Sequence, residues 1–435
     1  MSDPKIEQVA IGDLKPYSNN PRSRPRAQRC AIAASIKKNG FNAPIVVDEA
    51  NVIINGHGRY EAALTLELTS VPVIRVTHLS AAEKQAYRIA DNKLSEMSSW
   101  NADLLPEELR AIADGGIKFE DTGFSATDVD RIFDQAAEAR GPDLGPEDEL
   151  PAHPSVAVTK PGQTWVLGQH RIGCADMRDS TALERLMDGQ RARATFTDPP
   201  YNVRIGGFAG GKGQTKHPEF AMASGEMSAA QYTEFLSIAL KNIAKYCLDG
   251  AIAFVCIDWR HLDEMSAAGR SAQLTLMNLI VWVKSNGGMG TFYRSRHELI
   301  FAFKVGEAPH TNTFGLGDGG RCRTNVWEYR GANAFGPTRD EDLASHPTVK
   351  PARMVADAIK DVSQRGDIIL DPFGGSGTTL IACQMTGRIA CVLEIEPSYV
   401  DLTIRRWQKA MGLFAVDADT GVEFDELASA IGGVP

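Results

Sequence analysis

Two short strings hold residue types suited to chemistry. Asp198-Pro199-Pro200-Tyr201-Asn202 directly follows the apolar run Ala194–Thr197. Two adjacent prolines make a rigid turn lacking both amide hydrogens. Its carbonyls remain acceptors, Asp198 adds a carboxylate and Tyr201 a flat face. An exocyclic amino group on a planar base is a poor nucleophile, because its lone pair is delocalised into the ring. Acceptance of its two hydrogens by Asp198 and the Pro199 carbonyl would localise that pair for attack on an electrophilic methyl group. Stacking on Tyr201 would add about 1–3 kcal/mol toward holding the base. Asp-Pro-Pro alone serves equally well as a Pro-rich strand exit with a capped acid. The five-residue string after an apolar strand favours the chemical reading.

The second string, Asp371-Pro-Phe373-Gly374-Gly375-Ser376-Gly377-Thr378-Thr379, follows the apolar run Asp367–Leu370 and opens a helical segment. Glycines let the backbone approach a ligand closely, and a helix N-terminus favours a negative group. Glu394 ends the next apolar run, where an acid suits a ribose diol. The spacing is not the GxGxxG of dinucleotide sites, and the Gly-Lys-Ser/Thr of a P-loop is absent. The ligand is therefore read as nucleoside-like, with the amino group of a methionine moiety paired to an acid such as Asp371. A tight turn would account for one glycine but not for the whole string.

These strings need a scaffold that presents strand ends. After about residue 155, predicted strands (Ala194–Thr197, Ala251–Ile257, Leu279–Val283, Leu299–Phe303, Asp367–Leu370, Ile389–Leu393) alternate with predicted helices (Ala229–Cys247, Pro351–Ser363, Thr378–Thr386, Pro397–Met411). Alternation predicts an α/β, doubly wound and mostly parallel sheet, in which ligands bind beyond the carboxyl ends of the strands. Residues 1 to about 100 predict a smaller α+β unit. Its strands are Pro44–Asp48, Val52–Asn55 and Val71–Val76, with helices at Gln28–Lys38, Arg59–Leu68 and Ser80–Leu94. Ser80 with Glu83 is a capping-box pattern. The pattern stays helical from Trp100 to Gln135, and Ala136–Pro154 is rich in Gly, Pro and acid, as a linker would be. The expected division is 1–100, a helical extension and linker at 101–155, a large domain at 156–415 and a tail at 416–435.

The 435 residues carry 43% apolar and 23% charged residues, as a globular protein does. The net charge of −9 counts mildly against nucleic acid as a partner, but it hides patches. Lys15 to Val47 contains seven basic residues and no acid, whereas Asp134 to Glu149 contains six acids and one Arg. Seven cysteines without a CxxC suit reduced thiols rather than a disulfide framework or metal cluster. No apolar run approaches the ~18 residues of a membrane span, and MSDPKIEQVA lacks a signal core. A cytoplasmic protein without membrane attachment is expected.

Taken together, the two strings resemble the catalytic and cofactor motifs of the DNA amino-methyltransferases. The order, catalytic motif first, resembles the β-class of that family. The resemblance spans roughly 160–412. It also includes His346-Pro-Thr-Val-Lys350-Pro351, Val281-Trp-Val-Lys284, Arg296-His-Glu298-Leu299 and the opening segment Trp165–Asp176. It implies a Rossmann-like methyltransferase fold, S-adenosyl-L-methionine as cofactor and double-stranded DNA as substrate, with the target base flipped out of the duplex. Asp198, Pro199, Pro200 and Tyr201 would handle the base. Asp176, Asn202, His346, Lys350, Asp371, Phe373, Gly374, Gly375, Ser376, Gly377, Thr378 and Glu394 would hold the cofactor, with Asp176 near its adenine and His346 and Lys350 at its methionine end. An acid at position 198 goes with adenine N6 in the family, with cytosine N4 as the alternative. C5-cytosine chemistry is disfavoured because no Pro-Cys nucleophile pair occurs. RNA or protein amides are rival substrates. Two basic sets, Arg191, Arg193, Arg204, Lys212 and Lys216, and Lys284, Arg294, Arg296, Arg321, Arg323 and Arg330, would meet phosphates, and Gly206–Gly213 would close over DNA. Homodimers occur in the resembled class.

Residues 5–95, with Asn20-Pro-Arg22, Gly56-His57-Gly58-Arg59, Pro44-Ile-Val-Val47 and Val71-Pro-Val-Ile74, resemble the ParB/sulfiredoxin-like domain of chromosome-partition proteins. There the corresponding loop holds CTP. His57 and Gly58 depart from the Glu and Arg usual in that loop, and no helix-turn-helix is expected to follow. A docking or DNA-holding module, and a CTP-dependent clamp with a secondary methyltransferase domain, are the alternatives this half leaves open.

Overall fold

In the computed structural model the described residues are 5–139, 150–151, 153–154, 156–203, 222–284, 287, 292–313, 323–329 and 350–431. The chain forms two compact units, Met1–Pro142 and Asp143–Pro435. The helical extension after residue 100 therefore groups with the first unit. Among the described residues no helix is long and apolar enough to cross a membrane.

The first unit holds β1 (Ile6–Ala10), β2 (Ile45–Val47), β3 (Ile53–Asn55) and β4 (Ser70–Arg75), ordered β1-β4-β2-β3. β4 runs parallel to β2, and the other two pairs are antiparallel. The alternating β-branched residues Ile45, Val47, Val71 and Val73 face one way and form the core with Leu14, Ile53 and Ala63. Helices α1 (Arg26–Asn39), α2 (His57–Thr65) and α3 (Ala81–Glu96) surround this sheet. The predicted capping box starts α3: the Ser80 hydroxyl accepts from the Glu83 amide, and Glu83 accepts from the Ser80 amide. Two further helices follow, α4 (Leu104–Asp114) and α5 (Ala126–Ala139).

Among the described residues the second unit contains ten strands: β5 (Thr164–Leu167), β6 (His170–Cys174), β7 (Ala192–Thr197), β8 (Cys247–Ile257), β9 (Thr275–Val283), β10 (His297–Lys304), β11 (Val326–Glu328), β12 (Ile368–Asp371), β13 (Ile389–Glu394) and β14 (Val416–Asp417). Their order is β11-β9-β10-β8-β7-β12-β13-β6-β5-β14. The central strands β8, β7, β12, β13 and β6 are mutually parallel. The sheet is mostly parallel, as expected, with β10 and β5 running against the other strands. β10 pairs antiparallel with both β8 and β9, and β5 pairs antiparallel with β6 and β14. The segment Trp165–Asp176, expected as one opening strand, is the hairpin β5–β6, turned by Gly168 in the left-handed region.

The helices of this unit are α6 (Ser180–Met187), α7 (Ala229–Tyr246), α8 (Leu262–Ser271), α9 (Ala352–Val362), α10 (Thr378–Thr386), α11 (Pro397–Met411) and α12 (Phe424–Ala430). Two apolar clusters fill the unit, one around Trp165, Phe196, Ile359 and Trp407, the other around Leu236, Phe301 and Leu370. The expected tail is a further correction. β14 extends the sheet, and Phe424 of α12 is fully buried with its ring edge-on to Trp165. An aromatic of that size stays out of water only because β5 offers it a partner.

Candidate active site

Sheet order brings the two strings together. β7 and β12 are neighbours, with Ala194 opposite Ile369 and Thr195 opposite Leu370. Asp198 leaves β7 where Asp371 ends β12, and Glu394 ends β13 one strand further on. The Thr197 hydroxyl donates to Asp371 Oδ1 at 2.7 Å, a bond between residues 174 positions apart. All three acids thus sit at the carboxyl edge of a parallel sheet, where ligands bind in such folds.

On the β7 side, Tyr232 donates to the Pro200 carbonyl at 2.8 Å and fixes the turn. Among the described residues none donates to the Pro199 carbonyl, so it keeps its acceptor capacity for a ligand. Asp198 sits in a charge network. Tyr201 donates to its Oδ1 at 2.6 Å, and Lys350 Nζ donates to its Oδ2 at 2.5 Å. Lys350 also reaches the Tyr201 hydroxyl at 3.1 Å and Glu298 Oε2 at 3.2 Å. Lys284 bonds the other oxygen of Glu298. Burial raises the Asp198 carboxyl, Lys350 opposes that rise and Glu298 adds to it. Burial would raise Glu298 too, but Lys350 and Lys284 outweigh it and bring it to about 2. The Lys350 ammonium, penalised by burial, is held charged by Asp198 and Glu298.

On the β12 side the glycine string wraps the end of β13. Gly374 N–H donates to the Leu393 carbonyl at 2.8 Å, and Gly375 N–H to Glu394 Oε2 at 2.7 Å. The buried Arg406 holds the loop from below through the Ser376 carbonyl at 3.0 Å. Gly377 caps α10 at φ 78°, and a Cβ there would lie 2.4 Å from Thr403 Cγ2, so both backbone and space demand glycine. Burial pushes Asp371 up to about 6, against the hydroxyls of Thr379 and Thr197. It pushes Glu394 up to about 7, against the amides of Glu396 and Gly375. Neither acid has a basic partner among the described residues. Two buried acids without a cation form a site that gains from a ligand bearing positive charge and hydroxyls.

Among the described residues, the other expected site residues have partners of their own. Lys350 meets the Asp198–Tyr201 turn rather than the glycine string. The Asn202 side chain is spent on the Gly225–Met227 turn, accepting from both amides and donating to the Met227 carbonyl. Asp176 lies beyond β6 with both oxygens on Arg178. The Phe373 ring packs 5.8 Å from Phe235. Ser376 and Thr378 are buried in the loop and first turn. His346, Gly206–Gly213, Arg204, Lys212, Lys216, Arg321 and Arg330 lie outside the described residues.

The basic sets divide as well. Arg191 precedes β7, at the opposite end of that strand, and donates to the carbonyls of Lys245 and Cys247. Arg323 pairs with Asp361. Arg294 and Arg296 are exposed beside Phe292 and Tyr293, whose rings stand out at 85% and 82% exposure. Sequence reasoning assigned Glu298 no role. Its one local signal is that it places an acid at the head of the apolar strand His297–Lys304, where burial would be costly without a partner.

In the first unit Gly56 begins α2 in the left-handed region, and the buried His57 accepts from the Tyr17 amide through Nε2 at 3.2 Å. Burial, with Arg24 and Arg88 nearby, lowers His57 to about 4, so it is a neutral structural acceptor. The Arg59 guanidinium lies over Gly56, and Arg88 stacks 3.8 Å above the Tyr17 ring.

Comparison with known proteins divides the chain in three. Residues 192–405 match the N6/N4 methyltransferase family model, described as DNA methylase. Residues 1–93 match the ParB N-terminal domain. Residues 103–161 match the ParB-methyltransferase HTH domain, which corrects the expectation that no helix-turn-helix follows. α4 and α5 lie in that stretch, and the short turn between them, with its own helical residues Phe119–Thr122, makes the two read as one helical run. The ParB-like nuclease domain-containing protein YnaK of Escherichia coli (strain K12) is 40% identical over 81 residues, 19% of this chain and 93% of its own. The type II methyltransferase M2.MboI of Moraxella bovis is 30% identical over 141 residues, 31% of this chain and half of its own length. The solved M1.HpyAVI–SAM complex is 19% identical and covers 54% of this chain and 97% of its own, with a TM-score of 0.40.

Proposed function

We infer, because this chain belongs to the N6/N4 DNA methylases and carries a ParB N-terminal domain, that its second unit transfers a methyl group from S-adenosylmethionine to adenine N6 in double-stranded DNA. The observation that carries this reading is the junction of Asp198 with Asp371 and Glu394 on neighbouring strand ends. The cofactor supplies an electrophilic methyl on a positively charged sulfur. Its ammonium, sulfonium and ribose diol suit the two buried acids that lack a basic partner. Glu394 takes the diol, Asp371 faces the ammonium end, and the Gly374–Gly377 backbone wraps the nucleoside.

Asp198 and the Pro199 carbonyl accept the hydrogens of the amino group, and Tyr201 offers its face to the flipped base. The acid at position 198 favours adenine, with cytosine N4 as the alternative product. The exposed hairpin tip with Phe292, Tyr293, Arg294 and Arg296 supplies cations and flat faces for the duplex. Flipping places the reacting nitrogen inside a pocket that a stacked base cannot enter.

Transfer of label from S-adenosylmethionine to unmethylated DNA, followed by nucleoside analysis, tests the reading. N6-methyladenine is the expected product. N4-methylcytosine keeps the mechanism and overturns the choice of base. Absence of label from DNA, with cofactor bound, overturns the reading.

The basic loop of the first unit favours a second role for that half. Arg24, Arg59 and Arg88 surround the N-terminus of α2, a setting for a nucleotide triphosphate such as CTP. Calorimetry with CTP tests it, and no heat of binding removes it.

A further inference from the structure

We propose that Lys350 and Glu298 are positioning residues for methyl transfer: Lys350 is the cation that keeps Asp198 an ionised acceptor, and Glu298 is the anchor that aims Lys350 and Tyr201 at it. The proposal rests on the methyl-transfer reading given above. Its basis is the geometry of one buried cluster. The Lys350 side chain is 5% exposed, and its three N–H groups reach Asp198 at 2.5 Å, Tyr201 at 3.1 Å and Glu298 at 3.2 Å. That uses all three donors of an ammonium and leaves none for a cofactor. Tyr201 has one hydroxyl hydrogen, with Asp198 Oδ1 at 2.6 Å and Glu298 Oε2 at 3.1 Å as its acceptors. The Tyr201 ring is therefore held by its oxygen.

The partners come from four places in the fold. Asp198 and Tyr201 follow β7, Glu298 begins β10, Lys284 follows β9, and Lys350 precedes α9. The cluster contains two carboxylates and two ammonium groups, so its charge balances only while all four are present. Without Lys350, the two buried carboxylates would be left with Lys284, which bonds Glu298, and Asp198 would take a proton. A protonated Asp198 turns one oxygen into an O–H donor and accepts more weakly, so the attacking nitrogen would lose much of its acceptor. Glu298 acts in the opposite sense on Asp198, because its negative charge opposes ionisation while its bond to Lys350 fixes the geometry. Tyr201, Tyr232, Cys256 and Asp371 are the other titratable groups that face this cluster.

The test is the pH profile of kcat at saturating cofactor and DNA, with S-adenosylmethionine affinity measured alongside by calorimetry. For Lys350→Met the acidic limb moves up by about one pH unit or more. The rate at neutral pH falls about tenfold or more and recovers on the alkaline side, while cofactor affinity is unchanged. Lys350→Arg, which keeps the cation, returns the limb toward its wild-type position. For Glu298→Gln the limb moves down in pH, the opposite sign. Thermal melts report folding of each variant, and Glu298→Gln decides alone where Lys350→Met does not fold. Unshifted limbs in the variants overturn the proposal, as does loss of cofactor affinity in Lys350→Met. An inactive wild-type protein overturns the methyl-transfer reading itself, and the proposal with it. An active wild type with unmoved limbs overturns this proposal alone.

Discussion

The two units each place a loop and a helix start after a strand, and the two junctions carry opposite charge. In the first, β3 leads through Gly56 into α2; in the second, β12 leads through Gly377 into α10. Both glycines cap their helices in the left-handed region, at φ 96° and 78°, and neither helix has a side-chain cap. Yet Arg24, Arg59 and Arg88 gather at the first junction, with Glu61 paired to Arg24 and Asp91 near Arg59, whereas Asp371 and Glu394 stand at the second without a basic partner among the described residues. A shared backbone geometry therefore does not choose the ligand. The side chains donated by neighbouring elements do, favouring a phosphate at one junction and a cationic nucleoside at the other.

The sharpest way to break that contrast is to remove the acid that joins the second junction to its reactive neighbour. Asp198→Ala is expected to cost about 100- to 1000-fold in kcat, with cofactor affinity intact by calorimetry. A variant with full turnover would separate the glycine junction from any chemistry. Next, Glu394→Ala is expected to weaken S-adenosylmethionine by about 10- to 100-fold, the worth of a hydrogen bond to a charged group, without altering CTP binding. Arg59→Ala is the mirror experiment. It is expected to weaken CTP about tenfold and to leave the cofactor untouched. Cross-effects, with either substitution weakening the other ligand, would dissolve the contrast.

The smallest effect is in stability against pH, where the two junctions have opposite signs. Glu394 stands at about 7 in the ligand-free fold against an ordinary 4.5. Its protonation favours the fold, so this contribution is full below about 4.5 and is lost as pH rises through about 7. His57 stands at about 4 against an ordinary 6.5. Its contribution is full above about 6.5 and is lost as pH falls through about 4. Each is worth a few kcal/mol at most. Thermal melts across pH should show Glu394→Gln making the ligand-free protein more acid-labile and His57→Gln making it less so. Equal slopes in both variants would remove the assignment.

Local chemistry made some boundaries legible and hid others. α10 and α11 span the expected Thr378–Thr386 and Pro397–Met411, and the structure shows them bounded by Gly377, Gly387, Pro397 and Gly412, turn and cap residues that act within a few positions. The Ser80–Glu83 box fixed the start of α3 for the same reason. The hairpin β5–β6 and the C-terminal β14 and α12 escaped. They pack in part through Trp165 meeting Phe424, and no local period records a contact across that distance. The helix-turn-helix stretch was hidden by a short break between two helices of similar pattern.

The candidate site divides along the same line. By itself the sequence determined the two strings, their order and the chemistry each admits, since the rigidity of Asp-Pro-Pro-Tyr and the open backbone of Asp-Pro-Phe-Gly-Gly-Ser-Gly are properties of adjacent residues. Only the tertiary structure decided that β7 and β12 lie side by side, that Lys350 turns to Asp198 rather than to the glycine string, and that Glu298 completes the cluster. The reason is physical. A charge in a buried site takes its state from whatever other charges the fold brings within a few ångströms, and strand order, not sequence distance, sets which those are.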